Sequence, residues 1–300
     1  MSESPLVFNR AVVRLHRDRA AAGLEEYDFL LREVGERLLD RLDDVRRTFP
    51  LALDLGCRNG LLGSLAAGRG GIETLVQCDL SPRMAARAGP RAVTADEEFL
   101  PFSGSFDLIL SCLNLHWVND LPGALVQIRR ALKPDGLFLC ALFGGGTCEE
   151  LRQSLMHAEL AEEGGASPRV SPFVDVRDAG NLLGRGGFAL PVADIDTITV
   201  SYADPLRLMA DLRGMGESNA VLERRKNFTR RTTLMTACSH YAETHGDADG
   251  RVPATFQVVY LTAWAPHPSQ PKALSPGSAE TRLADALDGV EIAADTSEDG

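Results

Sequence analysis

The chain's chemistry concentrates at three acids that each end an apolar run. Leu51-Ala-Leu-Asp-Leu55 carries Asp54 and opens through Gly56, Cys57 and Arg58 to Gly60, just ahead of a helical pattern. A short apolar run reads as a buried parallel strand, and the carboxyl end of such a strand is where α/β folds bind ligands. Glycine there turns the chain without steric cost and lets the backbone approach a ligand. Asp79 closes the next run, Leu75-Val-Gln-Cys-Asp79, 25 residues beyond Asp54. That is one strand–helix–strand unit, near the spacing at which an acid meets a ribose in nucleotide-binding units. Asp96 follows a third run, Arg91-Ala-Val-Thr-Ala95. Acidic strand ends in series form a cradle for an adenosine-bearing ligand. The bland alternative for Asp79 is a solvated acid capping the helix that begins after Ser81.

Two further sets carry ionisable groups. His116 and Trp117 follow a fourth apolar run, Phe106-Asp-Leu-Ile-Leu-Ser111. A histidine there is either a general base or substrate-orienting group, titrating near neutrality, or a structural residue satisfied by backbone. His245-Gly-Asp247 has the spacing of two ligands of a non-haem iron triad. It sits in the glycine- and aspartate-rich stretch 245–250, with His267 the only later histidine, and reads as a turn. No metal site is assigned.

The elements that position these groups alternate. An amphipathic helix spans Leu24 to Val45, with apolar residues at helical spacing up to the stop at Phe49-Pro50. Strands at 51–55, 73–79 and 91–95 then alternate with helices at 60–68 and 82–88. A fourth strand covers 106–111, a helix runs from Pro122 to Leu132, and Lys133-Pro-Asp-Gly136 turns into a fifth strand, 137–143. This order predicts parallel strands joined by right-handed crossovers. After Gly144 come helices near 147–161 and 174–186, a strand at 192–200, helix again over 204–244, and a last strand from Ala254 to Trp264. The chain from Ala265 is rich in proline, serine and acids and reads as disordered, with a short helix at 279–288.

Composition narrows the class. A chain of 300 residues, 44% hydrophobic, supports one large globular domain with an extension. A net charge of −11 argues against nucleic acid as partner, which needs an electropositive face, and no apolar stretch reaches membrane-spanning length. Arg10, Arg14, Arg17 and Arg19 give the N-terminus a presequence-like bias. Glu3 and Asp18 interrupt it and no apolar signal core follows, so it reads as a mature cytoplasmic start. The six cysteines form no C-x-x-C pair, and four lie in or at the ends of apolar runs, as buried free thiols do.

Taken in order, Asp54-Leu-Gly-Cys-Arg-Asn-Gly60, Asp79, Asp96-Glu97-Glu98-Phe-Leu-Pro-Phe102, Phe106-Asp107 and Leu132-Lys-Pro-Asp-Gly136 resemble the class I methyltransferases that bind S-adenosylmethionine. The resemblance implies a Rossmann-like α/β fold with a seven-stranded, mostly parallel sheet whose last strand is antiparallel. The expected divisions are an N-terminal helical segment (1–48), the methyltransferase-fold domain (49–264) with a helical cover at 144–188 and 201–251, and an acidic disordered tail (265–300). A closer match over residues 8–270 rests on Leu115-His-Trp-Val-Asn-Asp-Leu-Pro122, Leu182-Leu-Gly-Arg-Gly-Gly-Phe188, Gly214-Met-Gly-Glu-Ser-Asn219 and Val252-Pro-Ala-Thr-Phe-Gln257. These resemble the methyltransferase-fold assembly factors of respiratory complex I, a family associated with hydroxylating an arginine of a quinone-module subunit. The malonyl-carrier-protein methyltransferases share the core landmarks but not the lid motifs.

The resemblance assigns S-adenosylmethionine to Asp54, Gly56, Gly60, Asp79 and Asp96, with main-chain help from Cys57, Glu97 and Cys112. Asp79 takes the ribose hydroxyls, being acceptor-only, Asp96 the adenine amino group, and the backbone at Glu97 the ring. The side chains of Glu97 and Glu98 are expected to face solvent. Met84 packs either on adenine or in the core, and His116 is the catalytic candidate. Arg58 stands where the usual motif has glycine, either crowding the loop or pairing with the cofactor's carboxylate. Gly214–Asn219 is either a functional lid segment or a helix end with a capped loop. Arg224, Arg225, Lys226, Arg230 and Arg231 form a solvated face or a dock for an acidic partner. Three functions stay open: modification of a complex I subunit as an assembly factor, methyl transfer to a small or carrier-bound nucleophile, and a non-catalytic cofactor-binding chaperone. The expected place is the cytoplasm, or the mitochondrial matrix for a eukaryotic source.

Overall fold

The computed structural model describes residues 6–271 and residue 278. The described residues up to Pro266 belong to one compact unit and those from His267 to another. The short helix expected at 279–288 and nearly all of the tail lie outside the described residues.

A seven-stranded sheet runs through the first unit. Its strands are β1 (Leu51–Leu55), β2 (Thr74–Asp79), β3 (Ala92–Thr94), β4 (Phe106–Cys112), β5 (Leu132–Phe143), β6 (Ala189–Tyr202) and β7 (Val252–Trp264), in the order β3-β2-β1-β4-β5-β7-β6. The pairings from β3 to β5 are parallel, while β7 runs against both of its neighbours. This is the Rossmann-like methyltransferase fold that the resemblance implies, with the parallel strands that the alternation of runs predicts. Its helices are α1 (Arg10–Ala20), α2 (Phe29–Asp43), α3 (Leu61–Leu65), α4 (Pro82–Ala88), α5 (Leu121–Ala131), α6 (Glu149–Glu163), α7 (Val176–Arg185), α8 (Pro205–Gly214) and α9 (Arg231–His245).

The two-residue period of a strand splits the core into two layers. Leu108 and Leu110 of β4, with Leu137, Leu139 and Ala141 of β5, pack with Leu30, Val34, Leu38 and Leu42 of α2. The intervening Ile109, Phe138, Cys140 and Leu142 meet Leu125 and Ile128 of α5 and Leu183 of α7. Both faces of the central strands are covered, so these runs are apolar throughout. The strand order reverses at β1, between β2 and β4, and the crevice beyond their carboxyl ends is the expected ligand position.

Several elements differ from expectation. The turn expected at Lys133-Pro-Asp-Gly136 lies inside β5, which begins at Leu132 and shifts register against β4 between Phe106 and Leu108. The helix from Leu24 is interrupted: a 3₁₀ turn covers Leu24–Glu26 and the α-helix starts after Asp28. The N-terminal segment holds a second helix, α1, whose Asn9 side chain accepts from the Val12 amide. The expected helix over 204–244 is two helices with an irregular link at 215–230. Its break is local chemistry: Gly216 sits at φ +80, and the Glu217 amide reaches back to the Leu212 carbonyl at 2.8 Å. That left-handed glycine and long backward bond form a Schellman-type end.

Gly214 lies flat on the Tyr27 ring; a Cβ there would come within 2.3 Å of the ring's Cγ. Gly214→Ala is therefore expected to destabilise the protein by about 1–3 kcal/mol through overpacking. In a denaturant double-mutant cycle with Tyr27→Ala, most of that cost should disappear.

Candidate cofactor and active site

The glycine loop after β1 is held by its own backbone. Gly56 and Cys57 both donate their amides to the Cys78 carbonyl, at 2.8 and 2.9 Å, and Gly60 donates to Cys57 at 2.8 Å. The Cys57 main chain is thus spent on fixing the loop. Gly56 and Gly60 adopt φ +84 and +86, where glycine alone is unstrained. A Cβ at Gly56 would fall 2.0 Å from the Asn114 Cγ, and one at Gly60 would fall 2.9 Å from the Ala88 Cα.

Asp54 and Asp79 stand side by side at the strand ends, both buried. Asp54 accepts one bond, from Gln77 Nε2 at 3.3 Å, and its other oxygen has no hydrogen-bond partner among the described residues. Burial, helped by the charge of Asp79 and opposed by the Gln77 bond, pushes its pKa up to about 7. Asp79 accepts from the Ser81 amide at 2.7 Å and the Arg58 amide at 3.1 Å. It does not cap α4; the Ser81 hydroxyl does, accepting from the Met84 amide at 3.1 Å.

The acids after β3 depart from expectation. Glu97 is fully buried, not solvent-facing, because its carboxylate is enclosed between Arg17 at 2.9 Å and Arg10. Burial alone would raise its pKa, yet these two guanidinium groups hold it at about 2. Glu98 is also tied down, accepting the Asn119 amide at 2.5 Å. Asp96 turns towards Arg10, 2.6 Å away, and accepts the Glu98 amide at 3.0 Å. Met84 packs among Ala20, Ala21 and Leu24, as a core residue does. Cys112 is buried at the end of β4 with its sulfur 3.9 Å from the Leu31 carbonyl, and burial pushes its thiol pKa up.

A second buried cluster lies beside the first. Arg58 adopts a left-handed backbone, φ +53, and its side chain is buried. Its guanidinium pairs with Glu217 and donates to the carbonyls of Leu113 at 2.9 Å and Met215 at 3.3 Å. The other Glu217 oxygen takes the Trp117 indole N–H at 2.7 Å and lies 3.1 Å from His116 Nε2. Burial would raise the Glu217 pKa, but Arg58 and His116 bring it to about 2. His116 has its pKa lowered, chiefly by burial, and its Nδ1 lies 3.5 Å from the Phe143 amide. A neutral ring with its proton on Nε2, donated to Glu217, satisfies both nitrogens.

Glu217 also lines a cavity of about 240 Å³ bounded by Phe143, Leu151, Phe173, Met209 and Leu212. His245 and Asp247 form no ligand pair. Asp247 accepts the amides of Asp249 at 3.0 Å and Arg251 at 2.9 Å, as a turn residue does, and no metal-ligand cluster occurs among the described residues. Of the basic cluster, Arg225 is spent on Glu163, while Lys226, Arg230 and Arg231 are exposed.

Sequence reasoning missed Arg10, Arg17, Asn114 and the partners of Glu217. A signal existed: Arg10 and Arg17 are seven residues apart, one face of a helix, in an otherwise acidic chain.

Two outcomes follow from these buried charges. Glu217→Ala strands Arg58 without a carboxylate and should lower stability by about 3–5 kcal/mol. Asn219→Ala, which loses bonds to Pro168 and Val221, should cost only about 1 kcal/mol each way in the same denaturant melts. The second outcome concerns pH. Asp54 binds its proton more tightly folded than unfolded, so its contribution to stability declines as pH rises from about 4 to 7. Glu97 and Glu217 act oppositely, contributing stability that is lost as pH falls below about 4.5 towards 2. Asp54→Asn should abolish the decline between pH 4 and 7 and leave the acid limb intact.

Comparison with known proteins places this geometry. Residues 53–140 match a family model described as a methyltransferase domain. The chain is 47% identical to the arginine-hydroxylase NDUFAF5, mitochondrial, of Danio rerio, over 93% of this chain and 89% of that protein. It is 33% identical to a malonyl-[acyl-carrier protein] O-methyltransferase of Methylovorus, over 92% of this chain and 96% of that one. Among solved structures, phosphoethanolamine N-methyltransferase 2 of Haemonchus contortus in complex with S-adenosyl-L-methionine superposes with a TM-score of 0.50 at 18% identity, covering 85% of this chain and 60% of that one, a likeness of fold. At such identity over nearly its whole length, the chain belongs to the NDUFAF5 arginine-hydroxylase family, built on the methyltransferase fold.

Proposed function

We propose that this protein hydroxylates an arginine of a quinone-module subunit during assembly of respiratory complex I. The carrying observation is the 47% identity to a named arginine hydroxylase over 93% of this chain and 89% of that protein. The reaction inserts one oxygen atom of dioxygen into a C–H bond. The other oxygen leaves as water, with two electrons and two protons from an external reductant.

S-adenosylmethionine is the cofactor this reading assigns to the groove, and the set of acceptors suits its donors. Asp79 and Glu97 are acceptor-only carboxylates at the ribose and adenine positions, Asp96 lies at the adenine edge, and Asp54 keeps an unpartnered buried oxygen. Gly56 and Gly60 give the close backbone approach. When bound, the cofactor supplies a sulfonium-activated methyl group, the chemistry that the methyl-transfer reading uses directly. His116 then serves as a positioning residue: its Nε2–H fixes Glu217 at the floor of the cavity, where apolar walls exclude water from an incoming side chain. The exposed Lys226, Arg230 and Arg231 suit an acidic partner surface.

No helix among the described residues is long and apolar enough to cross a membrane. The reading assigns the cytoplasm, or the mitochondrial matrix for a eukaryotic source, and the relatives named as mitochondrial support the second. Methyl transfer to a carrier-bound carboxyl is favoured by one specific observation, the 33% identity to a malonyl-carrier-protein methyltransferase. Intact-mass and peptide analysis of complex I subunits from cells with and without the protein separates the readings. The expected result is a protein-dependent gain of one oxygen on an arginine. A gain of a methyl group supports the second reading, and unchanged subunits with failed assembly point to a chaperone.

A further inference from the structure

The groove assigned to the cofactor is filled by the protein itself. Arg17 of α1 is fully buried, with its guanidinium 2.9 Å from Glu97, 3.5 Å from Asp79 and in contact with the Asn114 side-chain oxygen. Asn114 in turn packs against Gly56, where an added Cβ would fall 2.0 Å from its Cγ. A guanidinium is a five-donor cation, and it satisfies the same acceptors that a ribose diol and an adenine amino group would use. Arg10, two turns earlier on the same helical face, occupies Asp96 and the second oxygen of Glu97.

We propose that α1 and the cofactor are alternative occupants of this groove, with Arg17 as a built-in competitor that must withdraw before S-adenosylmethionine enters. The inference rests on the cofactor assignment above. Its electrostatics are those of an exchange. Withdrawing Arg17 leaves Asp79 and Glu97 without their shared cation, and S-adenosylmethionine, net +1 through its sulfonium, restores one nearby. S-adenosylhomocysteine is net neutral and restores none.

The exchange also reaches the cavity beside Glu217. The N-terminal end of α1 is stitched to the lid: Asn9 donates its amide to the Ala220 carbonyl at 2.9 Å, Leu222 donates to Val7 at 2.8 Å, and His16 Nδ1 lies 3.0 Å from the Ser218 carbonyl. Phe8 packs edge-on against Trp117, whose indole holds Glu217. Displacing α1 therefore loosens residues 216–222, the wall of the cavity, so cofactor entry and substrate access are coupled.

The test combines calorimetry with hydrogen–deuterium exchange on the full chain, using S-adenosylmethionine and S-adenosylhomocysteine as probes. In the wild type, saturating S-adenosylmethionine should lower protection of the amides at 10–20 and 216–222. Arg17→Ala and the bulk-preserving Arg17→Met should bind S-adenosylmethionine about tenfold more tightly, since the competent state no longer has to be unmasked. Preference for the cationic cofactor over the neutral one should be present in the wild type and unchanged in both variants, because Arg17 is out of the groove in every liganded state. Greater protection of α1 on binding, or weaker binding by both variants, overturns the proposal and makes Arg17 a cofactor ligand instead. Should the variants fail to fold, the wild-type exchange pattern decides alone. Absence of binding at millimolar cofactor in wild type and variants together overturns the cofactor assignment itself, whereas binding in the variants alone supports the competitor.

Discussion

Buried charge at the carboxyl edge of the sheet is the constraint on which this molecule depends. Asp54, Asp79 and Glu97 are buried there with Arg17 and Arg58, and Glu217, its side chain 6% exposed, joins them from the cavity. A desolvated ion is tolerated only with a partner of opposite charge and with its remaining hydrogen-bonding capacity satisfied. Each guanidinium here serves that end. Arg17 links the helix before the sheet to two strand ends, and Arg58 links the glycine loop to the lid. The net contribution of such pairs to stability is small, but their geometry is demanding, and it determines which segments must stay together.

That demand explains why this loop tolerates arginine where the fold usually has glycine. Arg58 adopts a left-handed backbone, and its side chain goes down to Glu217 and two carbonyls. The residue trades a flexible loop for a cross-brace between loop and lid. Glu217 is consequently occupied on both oxygens, by Arg58 on one side and by Trp117 and His116 on the other. A histidine so engaged works through the carboxylate it holds, and the chemistry of the site is concentrated in how Glu217 faces the cavity.

The methyltransferase fold by itself leaves the reaction open, since one scaffold hosts many chemistries. Family membership follows from 47% identity in a match covering 93% of the chain. The lid is where this chain's buried contacts tie the groove to the cavity. The sheet supplies acids at fixed heights; the segments above it decide what can reach them.

Local sequence determined most of the scaffold. Apolar runs of strand length, each followed by a helical period, specify buried parallel strands, and Ser81, Asp120, Asp175 and Asp204 mark helix starts by their own side chains. The positions of Asp54, Asp79 and Asp96 at strand ends were legible for the same reason, because period and spacing are properties of neighbouring residues. The break after Gly214 was within reach of the sequence, since glycine at 216 invites a left-handed helix end. The partners of the charges were decided only by tertiary structure. Arg17 and Glu97 are 80 residues apart, and Arg58 and Glu217 are 159 apart. Whether Glu97 faces water or a guanidinium depends on where α1 lies. Local pattern carries no information about that; it emerges only when packing brings the helix onto the edge of the sheet and removes the water between them.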